Sequence, residues 1–182
     1  IGSGALAGSA IPKAAYSEAI KKFLAKIKYE SKHGRSETVK NSLDNVASRD
    51  FVIEFLSILS MLQMHLSRMA EDFILYSTRE FSFFDLPEEY CTGSSLLPHK
   101  KNPDFLELVR GNTGRIYGNL MSVLTTMKGL PLTYNRDMQL DKEPLFSSTE
   151  TIKEELKISA GLINGLILNE DKIHKALEDE DL

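Results

Sequence analysis

This sequence has a single cysteine, Cys91, among 182 residues. One thiol excludes an internal disulfide framework and a multi-cysteine zinc site, and it fits a reducing compartment. The four histidines, His33, His65, His99 and His174, lack the spacings of a histidine metal site. A surplus of positive charge is lacking too, since 22 Lys and Arg against 26 Asp and Glu leave a net charge of −4. A chain of that balance is not built to coat a phosphate backbone. No basic start, apolar run and small-residue cleavage site opens the chain, and no repeat or low-complexity tract interrupts it. Strand-like alternation of useful length is missing as well. What remains is ordinary globular composition, 42% apolar and 26% charged, enough for one domain or slightly more. The opening Ile1-Gly2-Ser3, without a methionine, points to a segment of something longer.

Hydrophobic spacing is helical almost throughout, and the fold class it predicts is all-α. From Lys13 to Lys32, Tyr16, Ile20, Phe23, Leu24 and Ile27 share one face, and lysines fill the other. Residues 13–40 hold eight basic and three acidic residues. Tyr16 and Phe23 fall on the apolar face and not among the lysines, where single-strand binding would need them, so the surplus reads as a solvated helix face. A second helix takes Ser48 as N-cap and Asp50 in its first turn, and runs to Ser77 without Gly or Pro. Its apolar residues cover nearly the whole circumference, which predicts burial on most sides and His65 as a hydrogen-bonded core residue. Glu54, Gln63, His65, Arg68 and Glu71 argue against a membrane span. The expected setting is a helix bundle too large for one chain to complete, which implies partner subunits.

A third helix is expected with Asn102 as N-cap and Pro103 at the first helical position, ending before Gly129 and Pro131. Gly111, Gly114 and Gly118 form a stripe inside it, which predicts close approach of another backbone. A fourth helix is expected from about Pro144 to Leu168. A short acidic amphipathic segment, Glu170 to Leu182, follows with His174 exposed.

Between the second and third helices lies a long loop, 81–102, and loops of that length in compact domains are usually functional or disordered. Within it, Gly93-Ser94-Ser95 is followed by Lys100, Lys101 and a helix N-terminus. A serine is a poor acid or base unless its alkoxide is stabilised, and ammonium groups and helix-end N–H groups stabilise negative charge. The same groups would hold a carboxylate substrate. A loop that brings a hydroxyl to a C–H bond over a bound anion is a sensible proton-transfer device.

The segment GSSLLPHKKNPD at 93–104 resembles the signature loop of the fumarase/aspartase superfamily. Within that superfamily, GSGALAGSAIP at the start, NSLDNVASRDFVIEFL at 41–56 and RGNTGRIYGNLMSVLTTMKGLPLTYNRDMQLDKEPLF at 110–146 resemble the argininosuccinate lyase family. The resemblance implies a cytoplasmic homotetramer of long packed helices, acting on a small molecule, with no metal or organic cofactor and no nucleic-acid or membrane partner. The implied reaction is reversible cleavage of argininosuccinate to arginine and fumarate. Carried over by position, Ser94 is the proton-transfer residue and Lys100 supports the carbanion's charge. Asn102, Tyr134, Gln139 and Lys142 bind substrate.

Two positions depart from the family pattern: Leu97 replaces the usual Met, and His99 stands where Gln is common. His99 is familiar from adenylosuccinate lyase, so a sibling lyase is the alternative, alongside a non-catalytic helical relative or fragment. The resemblance divides the chain into a central helical-bundle domain, 1–142, with the signature loop at 90–102, and the start of a C-terminal helical domain, 143–182. The family's N-terminal domain and its Thr-His segment, which supplies the second acid/base group, are absent from these residues. The 182 residues alone are therefore expected to be inactive.

Overall fold

In the computed structural model, residues 12–26, 41–93 and 101–178 are described. Among the described residues, six helices carry the fold: α1 Lys13–Lys26, α2 Ser42–Ala47, α3 Asp50–Tyr76, α4 Asp104–Met127, α5 Lys142–Gly165 and α6 Glu170–Leu177. Four two-residue strands join them: β1 Phe84–Asp85, β2 Thr92–Gly93, β3 Lys101–Asn102 and β4 Ile167–Leu168. Short 3-10 turns lie at Glu88–Tyr90 and Arg136–Asp141. The expected all-α class holds. Two compact units divide the chain, one of residues 1–51 and 126–139, the other of 52–125 and 140–182.

The larger unit is built on three interlocking stripes. Along α3 the buried residues Val52, Leu56, Leu59, Gln63, Leu66 and Ala70 recur at alternating steps of four and three. That period keeps one seam turned inward. Leu106, Val109, Ile116 and Val123 do the same for α4, and Ile152, Glu155, Ser159 and Leu162 for α5. Leu56 and Ile116 are completely buried, and each such side chain contributes roughly 1.5–3 kcal/mol. Polar pairs cross the same seams. Gln63 Nε2 donates to the Val109 carbonyl at 2.8 Å, Asn112 Nδ2 to Glu155 Oε1 at 2.8 Å, and Asn119 Nδ2 to Ser148 Oγ at 2.9 Å.

Several sequence expectations change here. The seam of α3 is narrower than its composition suggests, because Phe55, Ile58 and Met61 remain exposed on the far side. By length and composition α3 would also suit a membrane span. Its fully buried Gln63, bonded to α4, is instead the mark of a bundle helix. His65 is exposed; Gln63, two positions earlier, is a hydrogen-bonded polar residue of the core. Gly111, Gly114 and Gly118 face open space, with no described atom within 4 Å of where a Cβ would stand. The close approach occurs on α5 instead. A Cβ on Gly165 would lie 2.8 Å from Pro87 Cγ, and one on Gly161 would collide with the Tyr90 hydroxyl.

Helix ends follow local chemistry. Ser48 Oγ accepts the Asp50 N–H at 3.1 Å, as expected of a cap. Asn41 caps α2, a helix the periodicity did not reveal, by accepting from Leu43 N at 3.1 Å and Asp44 N at 3.4 Å. The first helical carbonyl of α4 belongs to Pro103, which accepts from Glu107 N, while Asn102 is drawn into the strand before it. Gly129, at φ +72°, ends α4 in the left-handed region that glycine enters without cost.

Candidate active site

The signature loop is closed at its foot. β2 and β3 pair antiparallel, with Thr92 opposite Asn102 and Gly93 opposite Lys101. Thr92 Oγ1 donates to Asp104 Oδ2 at the start of α4. Lys101 Nζ lies 3.1 Å from Glu88 Oε1, an exposed pair of modest worth. Behind them Pro87 and Tyr90 rest on the glycines of α5. This foot places one candidate, half-buried Asn102, at the edge of a ladder and one residue before a helix. Ser94 and Lys100 lie outside the described residues.

Cys91 sits in the same foot. Burial pushes its thiol up from the ordinary value; Lys101 opposes the shift, and Asp104 and Glu88 add to it. A thiol held protonated is a poor nucleophile.

The second group of candidates comes from the polar turn after α4. Asn135 Nδ2 donates to the Pro131 carbonyl at 2.8 Å and ties the turn. The 3-10 turn Arg136–Asp141 then sets a period of three. Met138 and Asp141, three apart, are buried; Gln139 and Lys142, also three apart, are exposed. Gln139 Nε2 donates to the Tyr134 hydroxyl, so phenol and amide are presented as a pair. Lys142 opens α5, with its ammonium 3.2 Å from the buried carboxylate of Asp141. Among the described residues, Tyr134 and Gln139 are the candidates joined by a direct hydrogen bond.

The foot offers the Asn102 amide, the turn offers the Tyr134–Gln139 pair and Lys142 offers a cation, each a group of a type suited to carboxylates. No three His, Cys, Asp or Glu side chains among the described residues cluster as a metal site would require. A groove of about 440 Å³, lined by Ser57, Met61, Met64, Tyr117 and Met121 among others, is largely apolar and holds none of the candidate residues.

Sequence reasoning missed three supports of this site: buried Asp141 beside Lys142, the Thr92–Asp104 bond, and the seat that Gly161 makes for Tyr90. Only the last left a readable signal, two glycines four apart inside a helix.

A family model described as Lyase matches residues 1–118. The chain belongs to the lyase family. Its lyase relatives include an argininosuccinate lyase of Geotalea daltonii, 58% identical over 140 residues, covering 77% of this chain and 31% of that protein. Another, from Bacillus pumilus, is 47% identical over 180 residues and covers 99% of this chain and 37% of its own length. The chain thus spans about a third of the length of the curated relatives it matches. The lyase fold also recurs in solved structures. A fumarate lyase:delta crystallin from Brucella melitensis superposes with a TM-score of 0.75 at 23% identity, over 91% of this chain and 36% of that one. The class II fumarase of Schistosoma mansoni gives a TM-score of 0.70 at 22% identity, over 90% and 35%. At such identities the likeness establishes the fold alone.

Proposed function

We propose that this chain is the central part of an argininosuccinate lyase and carries part of a composite active site. The reaction is removal of a proton from the succinyl β-carbon, formation of an aci-carboxylate carbanion, and loss of the guanidinium group as arginine, leaving fumarate. Ser94 moves the proton and Lys100 supports the carbanion's charge. Asn102, Tyr134, Gln139 and Lys142 hold the substrate's carboxylates and polar groups. We assign 1–142 to the central helical domain and 143–182 to the start of a C-terminal one. The working enzyme is a cytoplasmic homotetramer, whose neighbouring subunits cover the exposed face of α3.

The observation that carries the reading is the turn from Tyr134 to Lys142. It presents a paired phenol and amide and an ammonium to solvent while burying Met138 and Asp141 between them in sequence. Exposed donors of these types close together in sequence support a role in holding carboxylates. The names of the curated relatives support the choice of argininosuccinate as substrate.

The test is fumarate release, followed by ultraviolet absorbance, in the full-length protein. An acid/base group typically contributes ~10²–10⁴-fold, so Ser94→Ala is expected to lower kcat by about that factor with little change in KM. Ser95→Ala is expected to be mild. Near wild-type kcat for Ser94→Ala would overturn the role of Ser94. Turnover of adenylosuccinate in place of argininosuccinate would move the chain to the sibling lyase.

A further inference from the structure

Asn102 stands at a corner of the chain, the last residue of β3 and two residues before α4 begins. An amide kept for a ligand takes its aim from the backbone that carries it, and from what braces that backbone. The ladder alone is a weak brace. β2 and β3 contribute two residue pairs, and so short a two-stranded ribbon is marginal in water.

Three contacts reinforce it. The incoming limb lies against α5, where a Cβ on Gly165 would stand 2.8 Å from Pro87 Cγ and one on Gly161 would strike the Tyr90 hydroxyl. Across the foot, Lys101 Nζ meets Glu88 Oε1 at 3.1 Å. The third contact is the Thr92 hydroxyl, which donates to the Asp104 carboxylate.

The place of Thr92 gives that bond its consequence. Thr92 is directly opposite Asn102, and residues directly opposite in an antiparallel pair carry their side chains on one face. From there its hydroxyl reaches past Asn102 and Pro103 to the first residue of α4. The corner 102–104 is therefore held at both ends, by the ladder at Asn102 and by Thr92 Oγ1 at Asp104. Without the second hold, the corner can turn about the ladder.

We propose that Thr92 is a positioning residue for Asn102: its bond to Asp104 ties the limb seated on α5 to the limb that opens α4, and so fixes where the Asn102 amide meets a substrate carboxylate. The inference rests on the substrate-binding role proposed for Asn102. Helix capping does not need this bond, because a carboxylate in the first turn of α4 is favourable without a partner. The bond is also exposed, so its loss should be felt in binding more than in stability.

The test uses the full-length protein, with fumarate release from argininosuccinate as the assay. Thr92→Val keeps the shape of the side chain and removes the hydroxyl, whereas Thr92→Ser keeps the hydroxyl. Thr92→Val is expected to raise KM roughly 10-fold with kcat and Tm little changed, and Thr92→Ser to return KM close to the wild-type value. A double-mutant cycle supplies the readout that a merely structural role would not move. Asn102→Ala should raise KM by itself, and Thr92→Val should add nothing further once Asn102 is Ala. A wild-type KM for Thr92→Val, or its full effect repeated in the Asn102→Ala background, would overturn the positioning role and leave that of Asn102 standing. An unchanged KM for Asn102→Ala would overturn the role of Asn102 itself, and the positioning role with it.

Discussion

The side-chain amide of Asn169 donates to the carbonyl of Ser82 at 2.9 Å, joining residues 87 positions apart in sequence. Asn169 N also donates to the Phe83 carbonyl at 3.0 Å, beside the β1–β4 ladder in which Phe84 faces Leu168. The tie brings the end of α5 against the turn that leaves α3. It also holds Ser82 in the left-handed region, at φ 52°, which costs a residue with a Cβ unless its surroundings insist on it.

Asn169→Ala removes one of those bonds and leaves the Ser82 carbonyl half-buried. The expected loss is about 1 kcal/mol in urea unfolding. Hydrogen exchange should quicken at the amides of Asn169, Lys172 and Ile173, which bond in that corner, while the α3 interior stays protected.

The seat of the loop gives a sharper test. In most helices Gly→Ala stabilises by about 1 kcal/mol. Gly161→Ala is expected to do the opposite, because the new methyl meets the Tyr90 hydroxyl. Tyr90→Phe in the same chain removes the colliding oxygen and should restore much of the lost Tm. Since Tyr90 lies two residues before Thr92 and the loop foot, Gly161→Ala should also lower kcat/KM in the full-length enzyme.

The proposed homotetramer uses the outer face of α3. Ile58 is 50% exposed and Met61 57%, and Met61 lines the apolar groove shared with α4. Exposed apolar surface of this kind marks an interface. Ile58→Lys combined with Met61→Lys is expected to dissociate the full-length protein in analytical ultracentrifugation while the helical circular dichroism persists. Retention of the wild-type sedimentation coefficient would assign the interface elsewhere.

Tyr134→Phe tests the substrate-binding role proposed for the turn. Loss of the hydroxyl leaves the Gln139 amide without its partner and free to rotate. A hydrogen bond of ordinary worth, about 0.5–1.5 kcal/mol, corresponds to a rise in KM of roughly 2- to 10-fold with kcat less affected. Steady-state kinetics over a range of argininosuccinate concentrations would separate the two parameters.

Much of this was legible in the residues themselves. The period of apolar positions gave α3, α4 and α5 to within a few residues of their ends, because a buried seam must recur every three or four residues. Ser48 and Gly129 did what their local chemistry dictates, as a cap and as a left-handed stop. The motif text of the loop and of 110–146 carried the family. Burial, by contrast, depends on which neighbour arrives. Composition alone could not say that Gln63 rather than His65 would enter the core, since that depends on which residue faces the Val109 carbonyl. Nor could it tell the open glycines of α4 from those of α5, which Pro87 and Tyr90 cover. The pairing of Asn102 with Thr92 lay beyond a helix-cap rule as well, because a strand partner ten residues away competes with the cap. Local propensity and period are written along the chain, whereas contact between distant residues exists only once the chain has folded.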